Sequence, residues 1–304
     1  MWNKIMPNKQ EQAVADGSIA LQADQIKDVI INNGVQIADI IPICRQIYDL
    51  NFPRLREEAA RVALENVNSF STALQASLSQ NIEGVLLEKL ADPDMQFCLN
   101  QSLQLVARHG EKIKPELLIN LIQAKMAEDT NDFQNLICNQ AINVLDKITI
   151  KHLHLIFFVG LVNNSLPHIS LGHGALDVDD SFLIDIIKKI DKLFCNFYSK
   201  FDRCLELEYS DSKYLESLGI FNYDNMPFSY SSFDILHSKL GNGILINGKK
   251  IKDTYLKEIV EKNSVKYFEC LNLYNKIFKH NHVSLSFVGD AIMRSYLNGD
   301  SLSI

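Results

Sequence analysis

Apolar and polar residues alternate near the start of the chain, then apolar residues recur every three or four positions through most of the remainder. This pattern predicts a short β-forming opening followed by helices. In Ser18-Ile19-Ala20-Leu21-Gln22 the period is two, and Asp28-Val29-Ile30-Ile31 follows, with Asp16-Gly17 and Asn32-Asn33-Gly34 as turn signals at either end. Two or three strands this short are marginal by themselves and must pair with the body of the protein or with another copy. Their open edges favour the second, which makes Ser18, Ile19, Leu21, Val29, Ile30 and Ile31 the candidate self-association residues.

From Val35 the period becomes helical. Ile37, Ile40, Ile41, Cys44 and Ile47 share one face, with Pro42 expected to bend that helix or delay its start. After Pro53, Leu55, Ala59, Val62, Ala63, Val67, Phe70, Leu74 and Leu78 form a stripe with charges on the other faces. That helix of about 27 residues is ~40 Å long, enough to span a domain or to bundle with a partner. Asp92 before Pro93, Pro115, and Thr149 with Ile150 mark three further helix starts, with short links that imply antiparallel neighbours.

Pro167, Gly172 and Gly174 then break the pattern, so residues 164–180 are expected to be a loop between a helical domain over 36–163 and a second, mostly helical domain over 181–304, with 1–35 as the β segment. Within the second half, Phe182–Tyr198 reads as a helix, Tyr209–Ser232 carries no assignable period, and Gly241–Lys249 suggests a hairpin around Asn247-Gly248. Residues 252–262 and 264–279 read as helices, and Val283–Ile292 as an extended piece leading into a last one. The fold class is therefore mainly α: a multi-helix bundle with a short N-terminal β segment and a less regular α(+β) C-terminal part.

The 304 residues are 47% apolar, ample for a core. The longest uncharged apolar run, Leu153–Leu166, is interrupted by Asn163 and Asn164 and falls short of the roughly 20 residues a membrane span needs. No basic, apolar and small-residue signal sequence stands near Met1, so the expected location is cytoplasmic. The six cysteines form no C-x-x-C pair, and most sit among apolar neighbours, as reduced core cysteines do. Net charge is −7; residues 1–150 hold 13 Lys and Arg against 19 Asp and Glu, and the rest hold 17 against 18, so general binding to a phosphate backbone is unsupported.

The densest group of ligand-forming side chains lies in and before the middle loop: His152, His154, His168, His173, Asp177, Asp179 and Asp180. Imidazoles with carboxylates suit zinc, iron or manganese, and a metal-dependent hydrolase or nuclease would use His168, His173, Asp177 and Asp179. However, His152 and His154 point about 200° apart on a helix. The preferred reading is a polar loop in which Asp179 or Asp180 caps the following helix, with no metal and no cofactor. His280 and His282 read likewise as a solvated helix end. No G-x-S-x-G, P-loop, G-x-G-x-x-G or H-E-x-x-H occurs, and no catalytic residue can be chosen. Leu285-Ser286-Phe287-Val288-Gly289 could introduce a winged-helix-like unit for nucleic acid, but only Lys276, Lys279 and Arg294 lie near; docking of the last helix is preferred.

Four segments resemble one family. Lys9-Gln10-Glu11-Gln12 with Asp16-Gly17-Ser18-Ile19-Ala20-Leu21-Gln22-Ala23 looks like the K-Q-x-Q … D-G-S-x-A-x-Q-A opening of an uncharacterised bacterial family named after LPO and Vpar locus tags. Pro53–Leu78 falls where that family has a long Ala- and Glu-rich helix. Asp92-Pro93-Asp94-Met95-Gln96-Phe97 is similar to its D-P-D-x-Q-x, and Leu285–Ile292 to its closing L-T-x-V-G-x-A-I, with Ser286 in place of Thr. Ala107–Leu155 also resembles a helical domain of abortive-infection proteins, which implies antiviral defence without supplying catalytic residues. Residues 199–282 resemble nothing by motif. The expected function is a non-enzymatic interaction or sensor protein that self-assembles through its N-terminal segment and binds another protein.

Overall fold

The computed structural model describes residues 36–51, 57–80, 86–164, 176–201, 204–224, 231–240, 244–246, 248–250 and 252–297. The expected N-terminal strands, with Ser18, Ile19, Leu21, Val29, Ile30 and Ile31, lie outside them, as do His168 and His173. Among the described residues the fold is mainly α, with twelve α-helices and five short strands. Contacts divide the chain into two compact units, with the division between Asn135 and Leu136.

In the first unit, a 3-10 turn over Ile37–Asp39 leads into α1 (Ile40–Asn51), so Pro42 sits in the first turn, where its missing N–H costs nothing. The buried face is Ile40, Ile43, Cys44, Ile47 and Tyr48; Ile41, expected to be part of it, is only partly covered. Helix α2 (Glu57–Gln80) buries Ala63, Val67, Phe70, Leu74 and Leu78 as its period predicts. Val62, expected on the same stripe, is 42% exposed because it lies at the stripe's margin. Tyr48 donates to the Ala60 carbonyl at 2.7 Å, tying α1 to α2.

Helix α3 (Pro93–His109) starts as its sequence dictates: the Asp92 carboxylate accepts from the N–H groups of Asp94 (2.7 Å) and Met95 (3.3 Å), and Pro93 occupies the first position. It ends at Gly110, whose φ of 55° suits glycine and whose missing Cβ would press on the Asn66 side chain at 3.0 Å. Helix α4 (Pro115–Met126) contacts α2 and α3, and its buried Lys125 ammonium is paired with the Asp94 carboxylate. Helix α5 (Asp132–Leu145) straddles the division.

The second unit is built round α6 (Ile150–Asn164), in which every residue from His152 to Val162 is buried. A helix apolar on all sides has to be covered on all sides. The covering elements are α7 (Asp180–Phe201), β5 (Val283–Leu285) and α12 (Phe287–Leu297). The end of the segment 164–180, expected to be loop, holds a strand: β1 (Leu176–Val178) pairs in parallel with β3 (Ile244–Ile246). The partner is remote in sequence, so the local glycine and proline signals concealed the strand. Strand β3 also pairs antiparallel with β4 (Lys249–Lys250), the hairpin read from Asn247-Gly248.

Tyr209–Ser232, which showed no period, contains α8 (Tyr209–Ser217) and β2 (Phe221–Tyr223), the latter antiparallel to β5. Helix α9 (Ser232–Leu240), α10 (Asp253–Asn263) and α11 (Val265–Phe278) complete the unit, with α11 against α7, α8, α9 and α10.

Two glycines lie where α12 is seated, and only one of them faces backbone. A Cβ on Gly289 would overlap the backbone carbonyl of Ile220, whereas one on Gly160 would meet the flexible Met293 thioether. Gly289→Ala should therefore lower the free energy of unfolding by roughly 1–3 kcal/mol, while Gly160→Ala, which also gains helix propensity of about 1 kcal/mol, should stay close to the parent. Urea midpoints followed by circular dichroism check this; equal effects would contradict it.

Candidate functional site

The carboxylates of the loop, the alternative metal-ligand candidates, have structural partners. Asp177 Oδ1 accepts from the Gly248 N–H at 2.8 Å and so closes the β3–β4 turn. Asp179 Oδ1 accepts from the Phe182 N–H at 3.1 Å and the Ser181 hydroxyl at 2.7 Å, the predicted cap of α7. These bonds, that to Ser181 foremost, hold the Asp179 carboxyl below its ordinary value of 3.8. The cap's contribution is thus present above that value and lost as pH falls through the lowered one. Asp180 accepts from Tyr255 at 2.5 Å. No group of three metal-ligating side chains occurs among the described residues.

His152 and His154 are both buried on α6, and they do different things. Thr149 and His152 cap the helix reciprocally: the His152 N–H donates to Thr149 Oγ1 (3.4 Å), and the Thr149 N–H donates to His152 Nδ1 (3.1 Å). Because Nδ1 accepts, the ring proton belongs on Nε2, which faces Asp211 Oδ1 at 3.5 Å. His154 instead meets the Tyr296 ring edge-on.

The most elaborate polar surface in the second unit surrounds α8 and was not predicted. Lys213 Nζ lies 3.6 Å from the centre of the Tyr223 ring and 5.6 Å from that of Tyr209, and Lys279 Nζ lies 4.8 Å from Tyr209 on its other contact. Lys213 is also paired with Glu216 at 2.7 Å. Buried Ser212 shares a 2.5 Å hydrogen bond with the Tyr223 hydroxyl. Asp224 and the His282 ring share a hydrogen bond next to it, so His282 is held by a neighbouring side chain rather than standing as a solvated end. Lys279 and His280 both take positive φ, 49° and 61°, to turn the chain from α11 into β5. The signal that could have found this surface is Tyr209, Lys213 and Tyr223 at the start of a stretch with no period, but nothing local brings Lys279 to it.

A second network runs along α7 and α11. Asp191 Oδ1 accepts from the Ser264 hydroxyl (2.7 Å) and the Tyr267 N–H (3.0 Å), capping α11 from a neighbouring helix. Tyr198 donates to Glu269 at 2.6 Å, and Lys266 pairs with Glu269 at 3.1 Å while lying 3.9 Å from the Tyr198 ring centre.

The hydroxyls of Tyr198, Tyr223 and Tyr255, the thiols of Cys195, Cys204 and Cys270 and the carboxyl of Glu269 titrate away from neutrality. Burial pushes the Tyr223 hydroxyl up to about 12, and the Asp180 hydrogen bond does the same to Tyr255. Tyr198 rises through its bond to Glu269, and Glu269 falls through the same bond. Burial pushes Cys204 up to about 12 and raises Cys270 further; it also raises Cys195, with the Asp191 carboxylate adding to it. Acid–base catalysis needs the opposite, groups brought toward the working pH.

A model of the Vpar locus-tag family matches residues 34–286. The chain belongs to that family. The match runs through residues 199–282, where no motif had pointed to it, and leaves the K-Q-x-Q and D-G-S elements outside. No curated protein and no solved structure matches the chain. None of these comparisons carries the abortive-infection likeness of Ala107–Leu155. The two family motifs within the described residues are folding devices: Asp92-Pro93-Asp94 starts α3 and pairs with Lys125, and Ser286 starts α12 by accepting from the Gly289 N–H at 3.1 Å. A Thr hydroxyl there, as in the family motif, would cap equally well.

Of the six cysteines, Cys195 alone is exposed and the other five are buried. One thiol per native chain should react with a disulfide reagent. Since its pKa is raised above 9.0, it should react at pH 8 more slowly than the same thiol in the unfolded chain. Several fast thiols, or a native rate above the unfolded one, would contradict the geometry.

Proposed function

We propose that this protein is a non-enzymatic interaction protein that assembles with copies of itself through residues 9–35 and uses its helical body to bind another protein. The observation that carries the reading is the commitment of the second unit's polar side chains: Asp177, Asp179, Asp191 and His152 hold turns and helix starts, and Tyr198, Tyr223, Cys195 and Glu269 are tuned away from proton transfer at neutral pH. Side chains used in this way present a fixed surface and do not prime a reaction. The period-two pattern of residues 18–31, read from the sequence as strands too short to stand alone, supports assembly. A role in bacterial antiviral defence rests on the resemblance of Ala107–Leu155 to abortive-infection proteins. Among the described residues no helix is long and apolar enough to cross a membrane.

Deleting residues 1–34 and measuring molar mass by light scattering tests the assembly. The full chain should have a multiple of the monomer mass and the truncated chain, still helical by circular dichroism, the monomer mass. An unchanged oligomer, or a monomeric full chain, would overturn it.

A further inference from the structure

The end of α7 and one face of α11 enclose a cleft of about 330 Å³. Its apolar wall is Phe201, Cys270 and Leu273, all buried, together with Leu205, a residue 51% exposed. An aliphatic side chain left half in water beside a concave apolar wall can gain by covering, and the volume is at the lower end of the ~300–1,000 Å³ of small-molecule sites. The size suits a short aliphatic chain or a single ring.

The charges round the cleft are unequal in what they have left to offer. Glu269 is ionised, since Tyr198 and then Lys266 hold its carboxyl below the ordinary range, and Lys266 balances its charge. Lys276, one turn and more along α11, is different: the bond the structure gives its ammonium is to the Leu205 carbonyl at 3.1 Å, a neutral acceptor. That bond fixes the ammonium beside the exposed leucine, and among the described residues it is given no carboxylate. The exposed Asn272 lines the same cleft one turn before Lys276 and adds an amide donor.

We infer that this cleft binds a small apolar monocarboxylate, its hydrocarbon body against Phe201, Leu205 and Leu273 and its carboxylate on Lys276. The match is one of sign and shape: a positive charge with a neutral partner at one end, an apolar wall at the other. Such a ligand would give the interaction protein something to sense, but the inference is independent of assembly, because binding is read on the full chain whatever its oligomeric state.

Octanoate, octylammonium and octanol, titrated separately into the full-length protein and followed by heteronuclear NMR shifts, test it. Octanoate should bind saturably, with shifts centred on the α7 and α11 residues of the cleft, and at least tenfold more tightly than the other two. Lys276→Gln should weaken octanoate about tenfold, as expected for loss of one charge-assisted contact. Leu205→Asp should abolish binding, with both variants keeping the parent's circular dichroism and thermal midpoint without ligand. Absence of saturable octanoate binding at about 10 mM, equal binding of octanol, or unaltered binding by Lys276→Gln would overturn the inference. These outcomes do not touch the light-scattering test, so the two proposals fail separately.

Discussion

The second unit depends on the need to cover α6 on every side. From His152 to Val162 the helix leaves nothing in water, and no single neighbour can cover such a cylinder. Phe157 and Phe158 project into an aromatic group with Phe197, Phe201 and Tyr274, so α6 is joined to α7 and α11 at once. Each fully buried side chain of this size is worth about 1.5–3 kcal/mol. On another face, α12 comes close enough that Gly160 and Gly289 cannot carry a Cβ without displacement. The end of α6 is then tied to β5: Asn163 donates to the Val283 carbonyl at 2.9 Å, and Tyr274 both donates to that carbonyl and accepts from the Val283 N–H. Strand β5 is only three residues long and would not persist without this support.

That dependence explains what the family motifs mean. The closing segment is not a chemical signature. Ser286 caps α12, Gly289 permits its approach to Ile220, and Val288 and Ile292 are buried beneath it. Likewise Asp92, Pro93 and Asp94 start α3 and neutralise the buried Lys125. In this member of the Vpar locus-tag family the motif residues among the described ones serve folding.

Much of the fold was legible because its signals are local. The stripe of Val67, Phe70, Leu74 and Leu78, the caps at Asp92 and Asp179, and the turn after Ile246 all follow from residues within a few positions of one another. What was concealed depends on partners remote in the chain. Leu176-Asp177-Val178 becomes a strand only beside Ile244–Ile246, and Lys279 reaches Tyr209 only after α11 has packed on α8. The reciprocal cap of Thr149 and His152 is half legible: the threonine marks the helix start, while nothing in the sequence shows that the His152 ring turns back to accept from the Thr149 N–H. Asp177 closes a turn at Gly248, 71 positions away, which no local signal shows, whereas Asp179 is the cap its position implies.

A unit organised round α6 should open only as a whole. Native-state hydrogen exchange, read helix by helix, measures this directly. The central amides of α6, those of β5 and those of α12 should exchange with one common free energy, equal to that of global unfolding of the second unit. Exchange of α6 at a lower free energy than α7 and α11 would show that those helices stand without it, and would contradict the dependence on which the whole description of this unit rests.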